Sequence, residues 1–104
     1  MSVIKDVIQE EYNRLNSLID LYDHKVSECV KGSLSIKKRG DHSYYYLAYR
    51  DEKKVKFVYV GKEGSPSVKE ISEKIEKRHR YEKMRKKSKE NLDEVRKLLR
   101  VANR

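Results

Sequence analysis

The chain has 104 residues, enough for one small domain with a modest core. Lys and Arg outnumber Asp and Glu 26 to 17, the net charge is +9, and 41% of the residues are charged. A pI near 9.6 and a mean hydropathy of −0.99 exclude a membrane-spanning protein and favour an acidic partner, nucleic acid before a membrane surface.

The opening "MSVIKDVIQEEY" is too polar for a signal peptide, and no apolar run approaches the roughly 18 residues of a membrane span. A single cysteine, Cys29, permits no intramolecular disulfide and builds no zinc set. A cytoplasmic protein is expected.

Residues 1–31 read as one helix, with Ser2 as its N-cap and Gly32 as its C′ residue. Ile8, Tyr12, Leu15, Ile19, Tyr22, Val26 and Cys29 alternate spacings of four and three, a heptad seam. Val7, Leu18 and Leu21 widen it. The seam packs either into an intramolecular core or onto a second chain.

Residues 32–63 read as three strands, "SLSIKK", "SYYYLAYR" and "KVKFVYVG", joined by the hairpin turns "RGDH" and "DEKK". Tyr, Val, Phe and Ile favour strand over helix here. Side chains alternate between faces. One assignment buries Leu34, Ile36, Tyr45, Leu47, Tyr49, Phe57 and Tyr59 against the helices. The other face then shows Lys37, Arg39, Tyr44, Tyr46, Arg50, Lys54 and Lys56. Rings interleaved with cations are the composition of a nucleic-acid-binding face. Cross-strand ring pairs also stabilise small sheets with no ligand, and lysines blunt sheet edges.

Residues 65–103 read as a long basic helix. Ser65–Pro66 supplies an N-cap and first helical residue, or Ser67 with Glu70 a capping box. Its apolar marks are Val68, Ile71, Ile75, Met84, Leu92, Val95, Leu98, Leu99 and Ala102. Between them "KRHRYEKMRKKSK", residues 77–89, sets eight Lys/Arg against one Glu. Arg78, Arg80, Arg85, Lys86 and Lys87 are candidate phosphate contacts from this run.

Charge follows the same divisions. Residues 1–30 hold three Lys/Arg and six Asp/Glu, residues 31–62 nine and three, and residues 63–104 fourteen and eight. The acidic first helix can neutralise part of the second; the sheet has no such partner.

The expected architecture is therefore α+β in a single domain, residues 1–104: a long N-terminal helix, a three-stranded antiparallel meander and a long C-terminal helix. The two helices pack as an antiparallel, coiled-coil-like pair. Surplus apolar surface at Leu92, Val95, Leu98 and Leu99 would support a homodimer. No enzyme is expected. His24, His42 and His79 lie in three different elements, and no H-E-x-x-H, P-loop, Rossmann glycine set or G-x-S-x-G occurs. No cofactor or metal is implied.

The stretch "KGSLSIKKRGDHSYYYLAYRDEKKVKFVYVGKE" resembles small uncharacterised bacterial and phage-borne proteins with a G-S-L strand, a Y-Y-Y-L strand and a Y-V-G-K strand between two helices. That resemblance implies the fold. Residues 31–76 are also similar to the arm-type DNA-binding domain of tyrosine recombinases, which implies a sheet that docks in a DNA groove. The long N-terminal helix and the lack of a recombinase body depart from that module. Nucleic-acid binding by a mobile-element or phage protein is the leading expectation. The alternatives are an inhibitor of a host nucleic-acid-handling defence complex, as anti-CRISPR proteins are, and a coiled-coil adaptor.

Overall fold

In the computed structural model, which describes residues 3–103, the elements run α1 (Val3–Glu28), β1 (Ser33–Arg39), β2 (His42–Asp51), β3 (Lys54–Lys62) and α2 (Pro66–Ala102). The expected α+β order of helix, meander, helix is what forms. The proposed Ser2 cap lies outside the described residues. The chain divides into two compact units, one of residues 1–28 with 80–104, the other of residues 29–79.

The first unit is a helix pair. Leu15, Ile19 and Leu92 form its buried cluster, with Tyr12 and Val95 packed against it. The Tyr22 and Tyr81 rings meet at 6.3 Å, and Arg85 Nη1 bonds Asp23 Oδ1 at 3.1 Å. Partners late in α1 meet α2 early and partners early in α1 meet it late, so the helices run antiparallel. The α1 seam is the heptad read from sequence, with Leu15, Ile19 and Val26 buried. Val7 and Leu21 do not widen it; both are exposed. The Tyr12 phenol is held below its usual pKa by hydrogen bonds from Asn16 and Arg96.

The seam of α2 is continuous too, but its middle is mostly polar, with Tyr81 as its one ring. Val68, Ile71, Ile75, Arg78, Tyr81, Glu82, Arg85, Ser88, Leu92, Val95 and Leu99 are its less exposed positions, spaced by threes and fours apart from the adjacent Tyr81 and Glu82. Met84, the apolar mark in the basic run, points outward. Leu92 is buried in the intramolecular core, and Val95 packs against it partly buried. Leu98 at 53% and Val101 at 62% exposure are what remains open at that end of α2.

The second unit is the sheet with the first turns of α2. Strand order is β1-β2-β3, both pairs antiparallel. Gly40 at φ 64° opens the first two-residue turn and Glu52 at φ 58° the second. Helix α2 starts at Pro66, whose fixed φ suits that position. The Ser65 carbonyl accepts the Lys69 amide, yet the buried Ser65 hydroxyl has no partner, so the expected side-chain cap is not made. Gly32 is not a C′ residue, because α1 ends four residues earlier. Its role is in the sheet unit: at φ 118°, a Cβ there would stand 2.4 Å from the Ala48 carbonyl oxygen.

Candidate functional site

Cross-strand partners in an antiparallel pair share a face, so the register fixes both faces of the sheet. Around Tyr44 lie Lys37 and Lys62; around Tyr46, Ser35 and Tyr59; around Ala48, Ser33 and Phe57; beside Arg50, Val55. Arg39 and His42 pair at one end of the same face. The opposite face carries Leu34, Ile36, Tyr45, Leu47, Tyr49 and Val58. Its Leu34 and Tyr45 line a cavity with Ser65, Val68 and Ser72, but the face is covered only in part: Ile36, expected to be buried against the helices, is 54% exposed, and Val58 is 49% exposed.

The open face brings Lys37, Arg39, Tyr44, Tyr46 and Arg50 together, as the alternation implied. Phe57 and Tyr59 are not buried against a helix. They sit on the open face, each 54% exposed, with Val55 at 53%. Lys54 and Lys56 are not on it. They pair with Asp51 and Tyr49 on the other side, and Lys56 Nζ bonds Asp51 Oδ2 at 2.7 Å. The reason is the turn: Asp51 pairs with Lys54, which sets Phe57 opposite Ala48 and Tyr59 opposite Tyr46. Lys62 joins the open face, a residue the sequence pattern did not single out. The signal for Phe57, Tyr59 and Lys56 was the even length of "DEKK". The signal for Lys62 was absent, since its face depends on an irregularity in β3 between the partners of Tyr45 and Tyr46.

The rings form one connected group. Tyr46 and Tyr59 meet edge to face at 5.4 Å and His42 and Tyr44 at 6.5 Å, while the Tyr44 and Tyr59 rings are tilted at 6.5 Å. The Lys37 ammonium lies 4.9 Å from the Tyr46 ring centre and 5.6 Å from that of Phe57. A cation over two rings is attracted by their negative faces. The strands place no Asp or Glu on this face; their one carboxylate, Asp51, is on the other. The face is thus aromatic at its centre, with the Lys37 ammonium over two of the rings and Arg39, Arg50 and Lys62 around them.

The basic run of α2 divides into two kinds of residue. Arg78 donates to the Cys29 carbonyl at 3.5 Å, and Arg85 is paired with Asp23. Both are half-buried structural groups. Arg80, Lys86 and Lys87 are exposed. Among the described residues no group of three or more His, Cys, Asp or Glu could hold a metal ion, and no helix is long and apolar enough to cross a membrane.

Residues 4–70 match the model of a family described as a domain of unknown function, DUF6788, and the chain belongs to that family. The match takes in α1 from Ile4, the whole sheet and the first turn of α2; the basic run lies beyond it. No curated protein and no solved structure matches the chain.

Proposed function

We propose that the chain binds nucleic acid through the open face of its sheet. The observation that carries this reading is the pairing of exposed rings with cations on a face without a carboxylate. Phosphates supply the negative charge that such cations attract, and neutralising them releases counterions. Bases supply flat apolar surface for the rings. Arg80, Lys86 and Lys87 add exposed positive charge on α2, suited to backbone contacts that carry no sequence information.

The reading is tested by capture from a cell lysate with the full chain, with and without nuclease treatment, followed by a gel shift at low salt. Nucleic acid that nuclease removes from the captured material supports it. Capture of one protein complex, unchanged by nuclease, favours instead an inhibitor of a nucleic-acid-handling machine. Exposed Phe57 and Tyr59 are the observation behind that second reading, since aromatic anchors also dominate protein interfaces. No shift at low salt rejects direct binding.

A further inference from the structure

The geometry points to single-stranded nucleic acid, rather than a duplex, as the ligand of the open sheet face. This rests on the nucleic-acid reading above and narrows it. In a duplex the faces of the bases are already stacked on one another, and a protein meets only their edges. Edges are read by Arg, Lys, Asn or Gln reaching into a groove. The centre of this face has no Asn, Gln or Arg. It has Tyr44, Tyr46, Phe57 and Tyr59. Rings of this kind stack on bases that are unpaired.

Spacing adds a second argument. Tyr44 and Tyr46 are two residues apart on one strand, so they stand roughly 7 Å apart along it. Neighbouring bases within a stack are only about 3.4 Å apart. Two bases laid on these two rings are therefore pulled off each other, which an extended single strand permits and a duplex does not. Tyr59 offers a neighbouring position across the sheet, with its ring centre 5.4 Å from that of Tyr46. The ring cluster has room for two or three bases. Arg39 stands at one end of it to meet a phosphate, the Lys37 ammonium lies over the Tyr46 and Phe57 rings, and β1 offers only Ser33 and Ser35 beside the remaining rings.

The test uses the full chain and fluorescence anisotropy with three probes: a labelled 12-nucleotide oligothymidylate, the matching oligouridylate, and a 12-base-pair DNA duplex. At low salt at least one single strand should bind tenfold or more tightly than the duplex. The double variant Phe57→Leu/Tyr59→Leu should lose about tenfold or more in single-strand affinity per lost stack, with duplex affinity unchanged. Tyr59→Phe, which keeps the ring, should bind as the parent does. Far-UV circular dichroism checks that the variants fold, and the comparison of probes on the unaltered chain needs no variant. If the duplex binds as tightly as both single strands, the inference fails while the nucleic-acid reading stands. If no probe binds at low salt, that reading fails and takes the inference with it.

Discussion

Lys37 reaches across from the edge strand to hold its ammonium 4.9 Å from the centre of the Tyr46 ring. The contact keeps a positive charge in the middle of an aromatic surface. A phosphate or base that lands on the rings meets this charge without further rearrangement of the side chain. Lys37→Met keeps the stem and removes the charge. It should weaken binding severalfold and lower the slope of log affinity against log salt by about one unit. Lys37→Arg should restore both. A titration series in salt, read by anisotropy, decides this; an unchanged slope for the Met variant would remove Lys37 from the interface.

Face assignment can be tested by charge reversal. Lys56→Glu alters a lysine on the helix side of the sheet, already paired with Asp51. Lys62→Glu alters one beside Tyr44 on the open side. The second change should reduce affinity by an order of magnitude or more, and the first by much less. Equal losses would mean that overall charge, not the open face, governs binding.

The basic run should respond in two ways. Arg80→Ala, Lys86→Ala and Lys87→Ala should weaken all sequences about equally and leave the melting temperature unchanged. Arg85→Ala breaks the pair with Asp23, whose partners are 31% and 49% exposed, and should cost about 0.2–1 kcal/mol in stability. Urea denaturation alongside anisotropy separates the two classes. A stability loss from Lys86→Ala larger than that from Arg85→Ala would contradict the division.

Two glycines of positive φ should differ in tolerance. Gly32→Ala places a methyl group 2.4 Å from the Ala48 carbonyl oxygen and also strains φ. It should cost more than about 2 kcal/mol. Gly40→Ala meets nothing within 4 Å, so only the left-handed backbone is penalised, at roughly 1 kcal/mol. Chemical denaturation midpoints of the two variants, at equal slope, give the comparison, and the reverse order would refute the account of Gly32.

In the helix pair, Leu15 at 1% exposure is the most buried large side chain. Leu15→Ala should destabilise by about 2–5 kcal/mol, while Leu98→Ala, at a half-exposed position, should stay within about 1 kcal/mol. Thermal melts of both variants would show it; a large loss at Leu98 would mean that this end of α2 is covered by another chain.

Much of this architecture was legible in the residues. The α1 heptad, the Pro66 start of α2 and both hairpin turns carry local signals, and each forms where those signals put it. The faces of β3 were misread because hydrophobicity grouped Phe57 and Tyr59 with Tyr45, against the pairing that an even-length turn imposes. Burial preference is a statistical pull; register is geometric, and it wins. The polar middle of the α2 seam was hidden for a different reason. Arg78, Glu82, Arg85 and Ser88 look like surface residues, and only the heptad phase carried over from Ile75 to Leu92 marks them as inward. The lack of a carboxylate on the open face follows from the register, so it too could be read only once the pairing was known.

Between Tyr45 and Tyr46, β3 advances by two residues, so Val60 is a surplus residue with no counterpart on β2. Pairing resumes beyond it, with the Glu63 amide bonded to the Ser43 carbonyl at 2.9 Å. That surplus residue turns Gly61 toward α2, where a Cβ would lie 2.5 Å from the Ser65 hydroxyl, and turns Lys62 outward. A one-residue slip exchanges the two faces of everything past it. Were β2 and β3 to pair straight through Val60, with no surplus residue, Lys62 would turn under the helix and a bare glycine would stand among the tyrosines. Removing Val60 itself would leave Tyr59, Gly61 and Lys62 in simple alternation and so on their present faces. A version of this domain shortened by that one residue would keep its charge on the outside, and the loss of a second residue there would reverse it.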